Sequence, residues 1–136
     1  MKASKRYAMT LLEIMIVIFI IGIIGSVVGY NMKGSLDESK AFKTREGSRQ
    51  IYEILTFENA KGTPMSEILK DPKKIISASG MARNNGELMK DGWGNKYDIG
   101  FSEKRNDIYI SSERYKDFVK AKQKPLEFYM HADKKD

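Results

Sequence analysis

The chain contains no cysteine. No disulfide can staple it and no thiolate metal site can form. Histidine is nearly as scarce: His131 is the single one. It sits in a lysine-rich end, where a lone histidine reads as a solvated side chain rather than a general base. No Ser/His/Asp set, metal cluster or phosphate loop is present, so no enzyme chemistry is indicated and no cofactor is expected. A strong basic excess is missing too. The formal net charge is +6, and without Lys2, Lys5 and Arg6 it falls to about +3, mild for a nucleic-acid binder. The other lysines are interspersed with acids, as on a solvated surface, and no nucleic-acid partner is expected. With 136 residues the chain can build one small domain but not two.

Charge is absent altogether from Ile14 to Met32, although the mean hydropathy of the whole chain is −0.48. Two physically different parts are therefore implied. As a helix, this stretch of about 19 residues spans roughly 28 Å, enough for a bilayer core of about 30 Å. Isoleucine and valine dominate it, but in lipid the backbone must satisfy its own hydrogen bonds, so helix is forced. Lys2, Lys5 and Arg6 precede the span. They hold the N-terminus in the cytoplasm and send the rest of the chain outward. Gly22, Gly25 and Gly29 are spaced by three and four. They suit close approach of a neighbouring helix, or are ordinary transmembrane glycine content. Glu13 does not suit a plain anchor. An acid in such a segment costs about 2.5–3.5 kcal/mol near the bilayer centre, and less toward the edge where Glu13 lies. Its default reading is a functional group with a partner.

Lys5-Arg6-Tyr7-Ala8, then Met9-Thr10-Leu11-Leu12-Glu13, then an apolar run, resembles the leader signal of type IV pilins and pseudopilins. That pattern has a basic leader, a glycine, a hydrophobic residue, Thr, Leu, an apolar residue and Glu. The resemblance implies that a prepilin peptidase cuts between Ala8 and Met9 and N-methylates Met9. It also implies that Glu13 acts in assembly. Ala8 departs from the pattern, since it stands where the family has glycine. Two other readings are a conventional secretory signal, with Val27-Val28-Gly29 as a poor cleavage site, and a simple single-pass anchor. Neither has a use for Glu13.

Beyond Met32 the chain turns polar. Residues 33–60 lack proline, so the membrane helix should continue out of the bilayer, ended by Gly62 and Pro64. Ala41, Thr44, Ser48, Ile51 and Leu55 follow 3,4,3,4 spacing and form one face. Arg49 and Glu53 can pair at i,i+4. Ser66 to Leu69 reads as a short helix stopped by Asp71-Pro72, and residues 79–87 as a loop. Asp91-Gly92-Trp93-Gly94-Asn95 reads as a dense turn. Tyr97, Ile99 and Phe101, then Ile108 and Ile110, alternate as two strands of an antiparallel hairpin do. Phe118 and Val119 could close a core, and Leu126 to Met130 could add a last strand. Three segments follow: a leader at 1–8, a transmembrane half-helix at 9–32 and an exported domain at 33–136. The fold class is α+β, a long N-terminal helix packed on a small antiparallel sheet.

The run Asp91 to Tyr97 is similar to the Asp-Pro-Trp-Gly-Asn-x-Tyr motif of the major pseudopilins of type II secretion. The order of parts is similar as well. This resemblance implies a structural subunit of a helical fibre that drives export across the outer membrane. Its partners would be further copies of itself, the prepilin peptidase, minor pseudopilins and an assembly platform in the inner membrane. Its place would be the inner membrane, single-pass, with the exported domain in the periplasm. Trp93 is expected to anchor the turn on the long helix, and Gly92, where the family has proline, to loosen that turn. The calcium loop of many such subunits is not carried over. Asp107, Ser111, Glu113 and Asp117 supply oxygens, but Arg114 and Lys116 lie among them and no glycine shapes a loop, so no metal is expected. Tyr30 replaces the proline that often kinks the first helix. The alternatives are a pilin of a type IV or DNA-uptake pilus, and an exported soluble protein with a cleaved secretory signal.

Overall fold

A computed structural model describes residues 10–133. Its first element is a helix of 50 residues, α1 (Leu11–Ala60). There follow α2 (Met65–Lys70), α3 (Pro72–Ser79), α4 (Asn85–Leu88), β1 (Asp98–Ser102), β2 (Asp107–Ser111), α5 (Glu113–Ala121) and a 3-10 turn (Phe128–Met130). The strands pair antiparallel, with Gly100 opposite Tyr109 at the centre of the register. The architecture is the expected α+β arrangement of a long helix on a small antiparallel sheet. The chain divides into two compact units, with the boundary between Glu38 and Ser39.

In the first unit α1 is long and apolar enough to cross a membrane. Its most apolar 18-residue stretch has a mean hydropathy of 2.8, and none of it is buried. Large side chains such as Ile16, Phe19, Ile20, Ile24 and Val28 all stand exposed. A soluble core helix would bury such residues, so this surface is made for an apolar solvent.

In the second unit the helix buries the face that the spacing predicts. Ala41, Thr44, Ser48, Ile51 and Leu55 are all buried, together with Ile54. Ile51, Ile54 and Leu55 pack with Ile68, Ile76, Tyr97, Ile108 and Ile110 into one cluster. Ala41 packs with Tyr115, Val119, Tyr129 and Met130 into another. Arg49 pairs with Glu53 at 3.6 Å and also with Glu46 at 2.6 Å. These pairs are solvent-exposed and screened, so they contribute little to stability.

Several local expectations are corrected. Asp71-Pro72 ends α2 but also starts α3: the Asp71 carboxylate accepts from the Lys74 N–H at 3.2 Å, and Pro72 fits the first helical turn, where its missing N–H costs nothing. Residues 79–87 are not all loop, because Asn84 caps α4 by accepting from the Glu87 N–H. Leu126 to Met130 is not a strand but ends in the 3-10 turn. Tyr129 and Met130 are both buried there. In a strand, adjacent side chains point to opposite faces, which would expose one of them.

Candidate functional site

The leader positions Ala8 and Met9 lie outside the described residues. The helix begins just after them. The Thr10 carbonyl accepts from the Ile14 N–H at 3.2 Å, and Glu13 falls in the first turn of α1. There its carboxylate faces the positive end of the helix dipole, an ordinary stabilisation of about 0.3–1 kcal/mol. Glu13 is exposed between Leu12 and Ile14, which are exposed as well. It makes no ion pair among the described residues. A carboxylate is thus presented on an otherwise lipid-seeking surface with no partner from its own described chain.

Within the second unit, the Asp91 to Asn95 turn docks on the stretch of α1 that belongs to that unit. Asp91 is buried. Its Oδ1 accepts from the backbone N–H groups of Trp93 and Asn95, each at 2.9 Å, and its Oδ2 accepts from the Ser112 hydroxyl at 2.7 Å. Three donors satisfy this carboxylate, as a buried charge requires. Gly92 then lies directly on the helix. Its N–H donates to Thr44 Oγ1 at 2.8 Å, and a Cβ at this position would collide with the backbone of Lys40. The expectation that Gly92 loosens the turn is therefore corrected. Glycine here brings the turn into main-chain contact with α1, and the Asp91 carboxylate fixes its shape. Gly47 serves the same docking one turn further on. A Cβ there would stand 2.9 Å from Tyr97 Oη, and that hydroxyl donates to the Thr44 carbonyl at 2.8 Å. Burial first, and then the charge of Asp91, pushes the Tyr97 hydroxyl well above the usual tyrosine range, so it stays a donor.

Trp93 is half-buried. Its ring lies 6.3 Å from that of Phe118 on α5, tilted by 51°, at the margin of the Ala41–Tyr115–Val119 cluster. We expect Trp93→Ala to cost about 2 kcal/mol, less than the roughly 3–5 kcal/mol of a fully buried large aromatic. Urea unfolding of the full chain in detergent measures it. An unchanged midpoint would show that the ring contributes nothing to docking.

Three polar residues on one face of α1 tie down three different segments. Thr44 holds the turn. Ser48 Oγ, one turn on, lies 3.3 Å from the Tyr129 hydroxyl of the 3-10 turn. Tyr52, a further turn on, donates its hydroxyl to the Asp107 carboxylate at the start of β2, and its ring stacks on Tyr129 at 5.0 Å. Thr44 and Ser48 read in the sequence as small residues on a packing face; their hydrogen bonds were not foreseen. Nor was the role of Asp133, whose carboxylate accepts from the Ser102 hydroxyl at 2.6 Å and the Glu103 N–H at 3.0 Å. These bonds hold the Asp133 carboxyl below the usual range, the Ser102 bond most.

Of the oxygens considered for a metal, Asp107 is engaged by Tyr52, and Glu113 lies at the exposed start of α5 beside Lys116, 4.0 Å away. Among the described residues no three His, Cys, Asp or Glu side chains converge to hold an ion.

A family model described as the prokaryotic N-terminal methylation motif matches residues 3–29. Three chlamydial proteins, each named "Putative outer membrane protein", are similar over most of the chain. The one from Chlamydia trachomatis serovar D is 32% identical over 112 residues, covering 82% of this chain and 90% of its own length. The one from Chlamydia pneumoniae is 34% identical over 116 residues, covering 84% and 94%. The one from Chlamydia muridarum is 30% identical over 114 residues, covering 83% and 92%. No solved structure matches.

Proposed function

We propose, from the premise that this chain belongs to one family with these three chlamydial proteins and carries the N-terminal methylation motif, that it is a pilin-like structural subunit. Within that class we read it as the major subunit of a type II secretion pseudopilus. Its leader is removed between Ala8 and Met9 by a prepilin peptidase, which also methylates the new amine. The first half of α1 anchors the subunit in the inner membrane, and the unit from Ser39 onward is exported into the periplasm. Copies then assemble into a helical fibre with minor pseudopilins on an inner-membrane platform, and fibre growth moves cargo outward. The role is mechanical and no catalysis is assigned. The observation that carries this reading is the lone Glu13 carboxylate in the first turn of an unburied apolar helix, inside the matched methylation motif.

The mass of the N-terminal peptide from membrane-extracted protein tests it. The expected species begins at methylated Met9. A mature chain beginning near Tyr30 would mark a secretory signal instead, and an intact Met1 would mark a plain anchor. The methylation motif is shared by a second reading, a subunit of a type IV or DNA-uptake pilus at the cell surface. Fibres released by shearing intact cells would support that one, whereas a pseudopilus stays in the periplasm.

A further inference from the structure

The last turn of α5 and the loop after it carry Lys120, Lys122 and Lys124 with no acid between them. All three are exposed, and none forms an ion pair among the described residues. The nearest acids in the chain are Asp117 before them and Glu127 after them, and Glu127 accepts from Tyr115 at 2.8 Å. The chain does not trail away here. Gln123 takes a left-handed φ of 56°, and the Lys124 N–H bonds back to the Val119 carbonyl at 2.8 Å, a helix end of Schellman type. The three lysines are thereby gathered at one end of α5. Cations there answer the helix dipole, but the dipole asks for nothing beside them, and two aromatic rings are present. Lys122 Nζ stands 6.0 Å from the centroid of Phe118, and Phe118 lies against Trp93. Both rings keep part of their surface exposed.

This cluster lies where the chain enters the second unit. Trp93 and Phe118 pack against the group of Ala41, Tyr115 and Val119, and Ala41 stands just past the start of that unit at Ser39. Ala41 follows Met32, the last residue of the charge-free run, by about nine residues, so the covalent chain holds it within roughly 30 Å of Met32 however it bends. A bilayer that takes up the apolar run is therefore always within reach of the cluster, and tethering gives it a high effective concentration. Lysines beside partly exposed tryptophan and phenylalanine suit the headgroup layer of an anionic bilayer.

We propose that Lys120, Lys122 and Lys124, with Trp93 and Phe118 beside them, seat the exported unit on the anionic surface of the bilayer that holds the first half of α1. The seat rests on the membrane anchor read above and not on the fibre. It engages the free subunit, and entry into a fibre must detach it. An unassembled pool is thereby kept down on the leaflet, and the hold weakens as salt screens the lysines.

Trp93 is the chain's single tryptophan, so its fluorescence reports on this place alone. The full chain is reconstituted into vesicles of phosphatidylcholine, or of phosphatidylcholine with phosphatidylglycerol, whose acyl chains are brominated near the headgroup. Bromine quenching of Trp93 is expected to be about threefold stronger in the anionic vesicles and to fall to the neutral level in high salt. Lys120→Glu with Lys122→Glu and Lys124→Glu should abolish the excess. Lys70→Glu with Lys73→Glu and Lys74→Glu, an equal change of charge on exposed lysines elsewhere, should keep it. Equal quenching in both vesicles, or loss of the excess with either triple, would overturn the seat and leave the anchor standing. If soluble duplex DNA rather than phosphatidylglycerol alters Trp93 emission through the same three lysines, the patch is a nucleic-acid site and the lipid seat falls. A chain that does not float with the vesicles at all would overturn the anchor as well.

Discussion

Gly92→Pro is expected to destabilise the unit from Ser39 onward by on the order of 3–5 kcal/mol, the range of severe single substitutions. Two losses act at once. Proline has no N–H, so the bond from position 92 to Thr44 Oγ1 disappears and a buried oxygen loses a donor. The Cβ of any residue here also runs into the backbone of Lys40, and helix backbone cannot move aside as a flexible side chain can. A domain of this size has only about 5–15 kcal/mol in total, so the loss reaches a large share of it. The result is counter-intuitive, because proline is the residue that the similar pseudopilin motif carries at this place. Thermal melting of the full chain in detergent gives the answer. Gly92→Ala, which keeps the N–H and adds only the Cβ, should fall between the two. A melting point unchanged in Gly92→Pro would mean that the turn does not lie on the helix.

Glu13→Leu is expected to leave cleavage and membrane insertion intact and to remove nearly all fibres. Leucine suits lipid better than an acid does, so nothing in insertion opposes the change. The contribution of Glu13 to the helix start, about 0.3–1 kcal/mol, is small beside the gain of inserting α1. After processing, Met9 would carry a methylated amine that is cationic near neutral pH. Its own Glu13 lies four residues up the helix and meets it only awkwardly, whereas the Glu13 of a staggered neighbour can face it. In a low-dielectric setting that pairing offsets the burial of both charges. With leucine at position 13 the amine is left alone. An unpaired buried charge costs about 3–5 kcal/mol, which corresponds to at least about a hundredfold loss of assembled subunit. Sheared or crosslinked fibre yield, measured beside the cleavage ratio, tests it. Fibres at normal yield from Glu13→Leu would remove the pairing mechanism.

Much of the framework could be read from residue spacing. The face from Ala41 to Leu55 repeats at helical intervals, and the structure buries all five positions. Ile108 and Ile110 alternate with more polar neighbours, and they are the buried residues of β2's central stretch. What escaped reading depends on chemistry that periodicity does not carry. Gly92 looked like loose turn material because a sequence does not show what lies within reach of a missing Cβ. Tyr129 and Met130 looked like strand residues because a short aromatic and apolar run has no period of its own. The start of α5 did have a signal: Ser112 precedes the helix and caps it by accepting from the Tyr115 N–H. Tyr115, Phe118 and Val119 then follow at helical spacing. The methylation motif was legible because Lys5, Arg6, Thr10 and Glu13 stand in fixed order, and the matched family model covers them.

The ladder formed by Thr44, Ser48 and Tyr52 has a mechanical meaning. Each rung ties one face of α1 to a separate segment: the turn, the 3-10 segment and the hairpin. The rungs lie one helical turn apart, about 6 Å, and each reaches sideways from the axis. Tension drawn along this stretch of helix therefore loads all three in shear together. They do not peel open one after another, as the bonds of a hairpin pulled from its open end would. A helix fastened this way shares such a load among three bonds instead of placing it on one.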